Sequence, residues 1–260
     1  MKVIVTDCNF ESFAEEQAMC DRAGYELVIL QCKTPDEVIA QCADADALFV
    51  QYVEINESVL ASLKRCKVIV RYGIGMNNIN LAAAKKYGIP ACNVPDYGID
   101  EVADHAAALT LTLIRQLPFW DKAIRSAQWP SAAPARMLSC KGMCFAVAGA
   151  GRIGRATLER MRVFGFKLAA YDPYVSEKDL NAIGVEKLSL DELFSKADVL
   201  SLHLPLTEET QHLINRWTFG VEPFVTRFLQ IGVYYRINRY IPQALTENQD
   251  DFIGRVHVFF

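Results

Sequence analysis

Met143-Cys144-Phe145-Ala146-Val147-Ala148-Gly149-Ala150-Gly151-Arg152-Ile153-Gly154 decides how this chain folds. An apolar run of strand length, Met143–Ala148, ends in G-x-G-x-x-G and passes directly into a helical pattern over Gly151–Phe164. The glycine string alone is a weak signal; the strand before it and the helix after it supply the context that a dinucleotide-binding turn requires. Gly149 permits the tight turn, Gly151 lets the backbone approach a diphosphate, and Gly154 lets helix and strand pack closely. Arg152 and Ile153 then sit at the helix N-terminus, where free N–H groups and the positive dipole end favour an anion. The next strand, Lys167–Tyr171, runs into Asp172, 18 residues past Gly154, close to the spacing of an acid that accepts from an adenosine 2′-hydroxyl. A carboxylate there repels a 2′-phosphate, so the cofactor expected is NAD rather than NADP.

Outward from this unit the same rhythm recurs. On the N-terminal side, Val3–Val5, Glu26–Leu30, Ala47–Val50, Lys67–Val70 and Pro90–Asn93 read as strands. Helical patterns lie between them at Glu11–Ala23, Pro35–Ala43, Asn56–Leu63 and Leu81–Tyr87. Alternation of this kind predicts an α/β protein with parallel sheets covered on both faces. Asp100–Leu117 differs: Val102, Ala106, Leu109, Leu113 and Leu117 recur at three- and four-residue spacing, which predicts one long helix. Asp100 is its expected N-cap, and Pro118 stops it or permits only one more turn. Ser126–Ser139, with Pro130 and Pro134, reads as a linker. After the glycine motif, Asp191–Lys196 is a short helix and Val199–Leu202 a strand. The expected organisation is a first domain over 1–98, a nucleotide-binding domain over 99–220 opened by the long helix, and a tail over 221–260.

The 260 residues carry a net charge of −4, and 52% are hydrophobic. No basic face is implied, which argues against nucleic acid and acidic membrane surfaces as partners. No stretch approaches a membrane helix, and the N-terminal apolar run is too short for a signal peptide, so a cytoplasmic protein is expected. Eight scattered cysteines form no C-x-x-C pair; they read as small buried apolar residues in a reducing compartment, and no metal site is expected.

Arg71-Tyr72-Gly73-Ile74-Gly75-Met76-Asn77-Asn78-Ile79-Asn80 resembles the R-x-G-x-G-x-D-N-I-D segment of the D-isomer-specific 2-hydroxyacid dehydrogenases. Asn93-Val94-Pro95-Asp96-Tyr97-Gly98, followed by Glu101–Ala106, resembles that family's entry into its interdomain helix. Asp198–Thr207 with His212-Leu213-Ile214-Asn215 resembles its strand and loop beside the cofactor. The phosphoglycerate dehydrogenase and C-terminal-binding-protein branch is the most similar. The resemblance covers about residues 1–220. It implies a flavodoxin-like substrate domain and a Rossmann-type NAD domain. It further implies a small 2-hydroxy or 2-keto acid whose carboxylate rests on the amides of Ile74 and Gly75, with Arg71 as a further anchor. His203, Leu204 and Pro205 would lie against the cofactor, and a homodimer would form through the 100–117 helix. Asn77 and Asn80 stand where the family usually has Asp. His105, on the long helix among apolar neighbours, reads as structural.

The likeness stops near residue 220. The family reaction needs a proton donor or acceptor near neutral pH and a cation beside the carbonyl. In the family these are a histidine held by a glutamate and an arginine in N-T-x-R-G. Neither N-T-x-R-G nor P-H-x-G nor P-H-x-A follows Asn215, so no catalytic residue is assigned and the Rossmann domain is expected to be incomplete. The stretch Arg227–Val233 is the one further candidate strand. The tail reads either as divergent or as the product of a frame shift near Trp217–Val221. Three outcomes stay open: an NAD-dependent oxidoreductase by descent with little turnover, a non-catalytic dinucleotide-binding scaffold or corepressor-like protein, and an inactive truncated product.

Overall fold

The structure is a computed structural model and describes residues 1–131, 139–207, 209–211, 213 and 229–231. The expected tail over 221–260, apart from 229–231, and the His212–Asn215 loop, apart from Leu213, lie outside the described residues, as does the middle of the 126–139 linker. The chain divides into two compact units, Met1–Tyr97 and the chain from Gly98 onward.

The first unit alternates β1 (Lys2–Val5), α1 (Ala14–Ala23), β2 (Glu26–Ile29), α2 (Pro35–Cys42), β3 (Ala47–Val50), α3 (Glu57–Ser62), β4 (Val68–Arg71), α4 (Leu81–Lys86) and β5 (Ala91–Cys92). Its five strands are all parallel in the order β2-β1-β3-β4-β5, which is the flavodoxin-like order. Ile4 lies opposite Val28 on one side and Leu48 on the other. Ile4, Leu48, Ile69, Val38, Val59 and Leu60 are the centre of its core. Local chemistry starts the helices. Thr34 Oγ1 accepts from the Glu37 N–H, with Pro35 in the first turn of α2. Asn56 Oδ1 accepts from the Val59 N–H at α3. Asn80 caps α4 through the Ala83 N–H at 2.9 Å, so the amide serves the turn that an aspartate would.

The second unit contains α5 (Ile99–Ile114), α6 (Leu117–Arg125), β6 (Cys144–Ala148), α7 (Arg152–Arg162), β7 (Lys167–Tyr171), α8 (Glu177–Ala182), β8 (Glu186–Lys187), α9 (Leu190–Lys196), β9 (Val199–Leu202) and β10 (Leu229–Ile231). The strands are parallel in the order β10-β9-β6-β7-β8. From the first strand of the unit this is the 3-2-1-4-5 portion of the Rossmann order. Leu229 pairs in register with Val199, so part of the irregular-looking 227–233 stretch does extend the sheet. Among the described residues no helix is long and apolar enough to cross a membrane.

Five expectations are corrected. Gly98, not Asp100, stands at the N-cap of α5; Asp100 lies in the first turn and pairs with Arg160 on α7, which Asp104 also contacts. The long helix ends at Ile114, because Gln116 adopts a left-handed conformation (φ +53°), and Pro118 sits in the first turn of a second helix, where its missing N–H costs nothing. Its fully buried face is Ala103, Ala106, Ala107 and Thr110 rather than the leucine stripe; small side chains let α5 lie close to α7. His105 is exposed on α5 rather than packed. Cys92 is exposed and Cys140 and Cys144 half-buried, whereas Cys8, Cys20, Cys32, Cys42 and Cys66 are the small buried residues foreseen. Helix α8 and strand β8 carry too short a pattern to be read from sequence.

Candidate functional site

The glycine turn is built by β6 entering α7. Gly149 has φ +94° and donates its N–H to the Tyr171 carbonyl at 2.8 Å. A Cβ on Gly149 would stand 2.5 Å from the His203 carbonyl oxygen, and one on Gly154 would stand 2.0 Å from the Gly149 oxygen. Both glycines are therefore demanded by backbone against backbone. Gly151 is different: a Cβ there would meet nothing within 4 Å, and its φ of −72° suits any residue. Nothing among the described residues requires glycine at this point, so the bare backbone leaves room for a ligand. No side chain caps α7 and its first turn holds no acid, which leaves the positive end of an eleven-residue helix facing that space. Arg152 is exposed, and Ile153 is half-buried on the same turn.

Asp172 ends β7 beside the turn and is nearly buried. Its Oδ2 accepts from the Ala150 N–H at 2.8 Å and its Oδ1 from the Tyr174 N–H at 2.8 Å. The carboxylate thus latches the middle of the glycine turn. Each oxygen keeps a lone pair, so the same group can still accept from a ribose hydroxyl. His203 lies behind the turn: its N–H bonds the Ala148 carbonyl at 2.8 Å and its ring Nε2 meets Ser201 Oγ at 2.9 Å. Burial pushes the imidazole down to about 4, so it is neutral at pH 7. Its carbonyl, rather than its ring, supports Gly149. Leu204 packs at the same place, and Pro205 is exposed, its carbonyl accepting from Thr210 Oγ1.

In the first unit, Arg71 ends β4 and folds back over Gly73, where a Cβ would fall 2.7 Å from its Nη1. The guanidinium is buried; it donates to the Gly75 carbonyl at 2.5 Å and to the Gln51 carbonyl at 3.4 Å. It forms no ion pair among the described residues, and desolvation pulls its pKa below the usual arginine value. Asn93 Nδ2 donates to the Ile74 carbonyl at 2.7 Å, and Val94 N–H to the Gly73 carbonyl. With both carbonyls tied back, the N–H groups of Ile74 and Gly75 have no partner among the described residues. Two successive free amides beside a buried cation are the kind of backbone turn that can accept an anion.

Three supports escaped sequence reasoning. Asp7, at the end of the strand-to-loop turn after β1, accepts from the N–H groups of Gln51, Tyr52 and Val53 and from Thr6 Oγ1. Asn78 Nδ2 holds the Gln51 and Val53 carbonyls, while its buried Oδ1 has no partner. Tyr72 stacks on Phe49 and donates to Glu16 on α1. An aspartate at a strand end was the available signal for the first; the other two depend on which loops meet. Among the described residues no group of three or more His, Cys, Asp or Glu could hold a metal.

Residues 107–221 match the profile described as D-isomer specific 2-hydroxyacid dehydrogenase, NAD binding domain. Over 182 residues the chain is 37% identical to a D-3-phosphoglycerate dehydrogenase of Mycobacterium bovis; the match covers 70% of this chain and 34% of that relative, so the chain spans about a third of its length. The apo structure of D-lactate dehydrogenase from Escherichia coli is 31% identical with a TM-score of 0.68, over 90% of this chain and 74% of that one. A D-lactate dehydrogenase from Aquifex aeolicus, solved with NAD and lactic acid, is 27% identical with a TM-score of 0.77, over 88% and 68% of the two chains.

Proposed function

The chain belongs to the D-isomer specific 2-hydroxyacid dehydrogenase family, and from that membership we propose that it binds NAD on the Gly149–Gly154 turn and a 2-hydroxy or 2-keto acid on the Ile74–Gly75 turn. The observation that carries this is the open space at Gly151, where an added Cβ would meet nothing among the described residues within 4 Å. The residues present fit the cofactor. The uncapped N-terminus of α7 would face its diphosphate, Asp172 would accept from the adenosine ribose, and Leu204 and Pro205 would border it. Bound NAD supplies hydride transfer at C2 of the acid. The chain's own part is to hold the acid's carboxylate on the amides of Ile74 and Gly75, with Arg71 beneath them. Carry-over of the family dimer through the interdomain helix belongs to the same proposal, with α5 as the contact.

Calorimetric titration with NAD and with NADP tests the reading. Micromolar NAD binding, weaker NADP binding and loss of both the affinity and the preference in Asp172→Ala are expected. A folded sample that ignores NAD refutes it. A second reading, a dinucleotide-binding protein without turnover, is favoured by one observation: no N-T-x-R-G occurs in the residues that follow Asn215. It predicts that a sample competent to bind NAD leaves NADH absorbance unchanged with 2-keto acids.

A further inference from the structure

The turn that would hold the acid sits among the loops following β3, β4 and β5, and the charges there are unequal. Arg71 is the one cation that these three loops and their strand ends carry (Gln51–Asn56, Arg71–Asn80 and Asn93–Tyr97). It is 5% exposed and bonded to two carbonyls rather than to a carboxylate. Asp7, whose charge Arg71 feels, is already taken up by three backbone N–H groups and the Thr6 hydroxyl. Arg71 thus bonds no carboxylate directly among the described residues, and one carboxylate on the two neighbouring amides would give it a direct anionic partner.

Beyond that point the loops turn acidic and aromatic. Glu54 and Asp96 are exposed carboxylates. Tyr52 is 59% exposed and Tyr97 61% exposed, and both stand close enough to Arg71 for their hydroxyls to interact with its charge. Lys33, the next cation, follows β2 at the edge of the sheet; it lines a hollow of about 510 Å³ in which Glu54 and Asp7 are the opposing charges. A second anionic group on the acid would find no free cation in the loops around the turn and would approach Glu54 and Asp96. An apolar or aromatic group would find the two tyrosine rings, whose faces and edges accept such partners.

We propose that the acid held by this chain carries a single negative charge and an apolar or aromatic side chain, and that phosphorylated 2-hydroxy acids are disfavoured. The proposal rests on the reading of Ile74 and Gly75 as the carboxylate site.

The test is calorimetric binding of D-lactate, D-phenyllactate and 3-phospho-D-glycerate to the full chain with NADH present. Acid and cofactor are then both reduced, so no turnover intervenes. Binding of D-phenyllactate at least about tenfold tighter than that of 3-phospho-D-glycerate is expected, a difference of about 1.4 kcal/mol. Glu54→Arg, an exposed change, should move that ratio about tenfold or more toward the phosphorylated acid, and Tyr52→Ala should weaken D-phenyllactate while sparing D-lactate. If D-lactate binds but the phosphorylated acid binds as tightly as D-phenyllactate, the carboxylate site stands and the charge argument is overturned. If none of the three binds, the turn is not a carboxylate site and the inference falls with it.

Discussion

Three glycines in one motif should respond differently to the same added methyl group. Gly154→Ala brings a Cβ to 2.0 Å from the Gly149 oxygen, more than an ångström inside normal contact. Because the obstacle is backbone, relief requires α7 to move off β6, and overpacking of this kind costs about 1–3 kcal/mol or more. Gly149→Ala adds a left-handed backbone penalty of about 1–2 kcal/mol to a 2.5 Å approach to the His203 oxygen. Gly151→Ala meets nothing within 4 Å at an ordinary φ, so its folding cost should stay within about 1 kcal/mol, the usual glycine-to-alanine difference at an N-cap. Its NAD affinity should nevertheless fall at least about tenfold, or about 1.4 kcal/mol, because the methyl group occupies the space left for the diphosphate. Urea unfolding followed by fluorescence gives the first quantity and calorimetry the second. A Gly151→Ala protein that binds NAD like its parent would remove the diphosphate from this turn. A Gly154→Ala protein of parental stability would mean that α7 and β6 are less closely packed than described.

Further tests bear on the supports. His203 is neutral when folded because burial holds its pKa down at about 4, whereas an unfolded imidazole takes a proton near pH 6.5. Above that pH both states are neutral and the group is silent; as pH falls toward 4 only the unfolded chain gains the proton. Stability should drop by about 2–3 kcal/mol across that window, and His203→Gln should drop less when unfolding is measured at both ends. Asn80→Ala removes the side-chain acceptor of the Ala83 N–H and should cost about 1 kcal/mol in denaturant unfolding; no change would mean that another group caps α4. Arg160→Ala frees Asp100 and Asp104, both largely exposed, so a loss of about 1 kcal/mol or less, vanishing in high salt, is expected; a larger, salt-independent loss would point to packing by the arginine stem.

The sequence determined the alternation of strands and helices, the parallel sheets and the dinucleotide turn. Each of these is local: an apolar run of strand length, a period near 3.6, a capping residue or a glycine acts over a few neighbouring positions. It also put forward Ile74, Gly75 and Asp172 as candidate site residues. Tertiary structure alone decided what those groups are attached to. Asp172 latches Ala150 across 22 positions, Asn93 pulls back the Ile74 carbonyl across 19, and Asp7 gathers the Tyr52 N–H across 45. These partners meet because the sheet order brings particular strand ends together, and sequence periodicity does not encode that order. The break at Gln116 and the second life of Pro118 as a helix opener have the same origin: a proline that forbids continuation is equally suited to a first turn, and only the surrounding packing selects between the two.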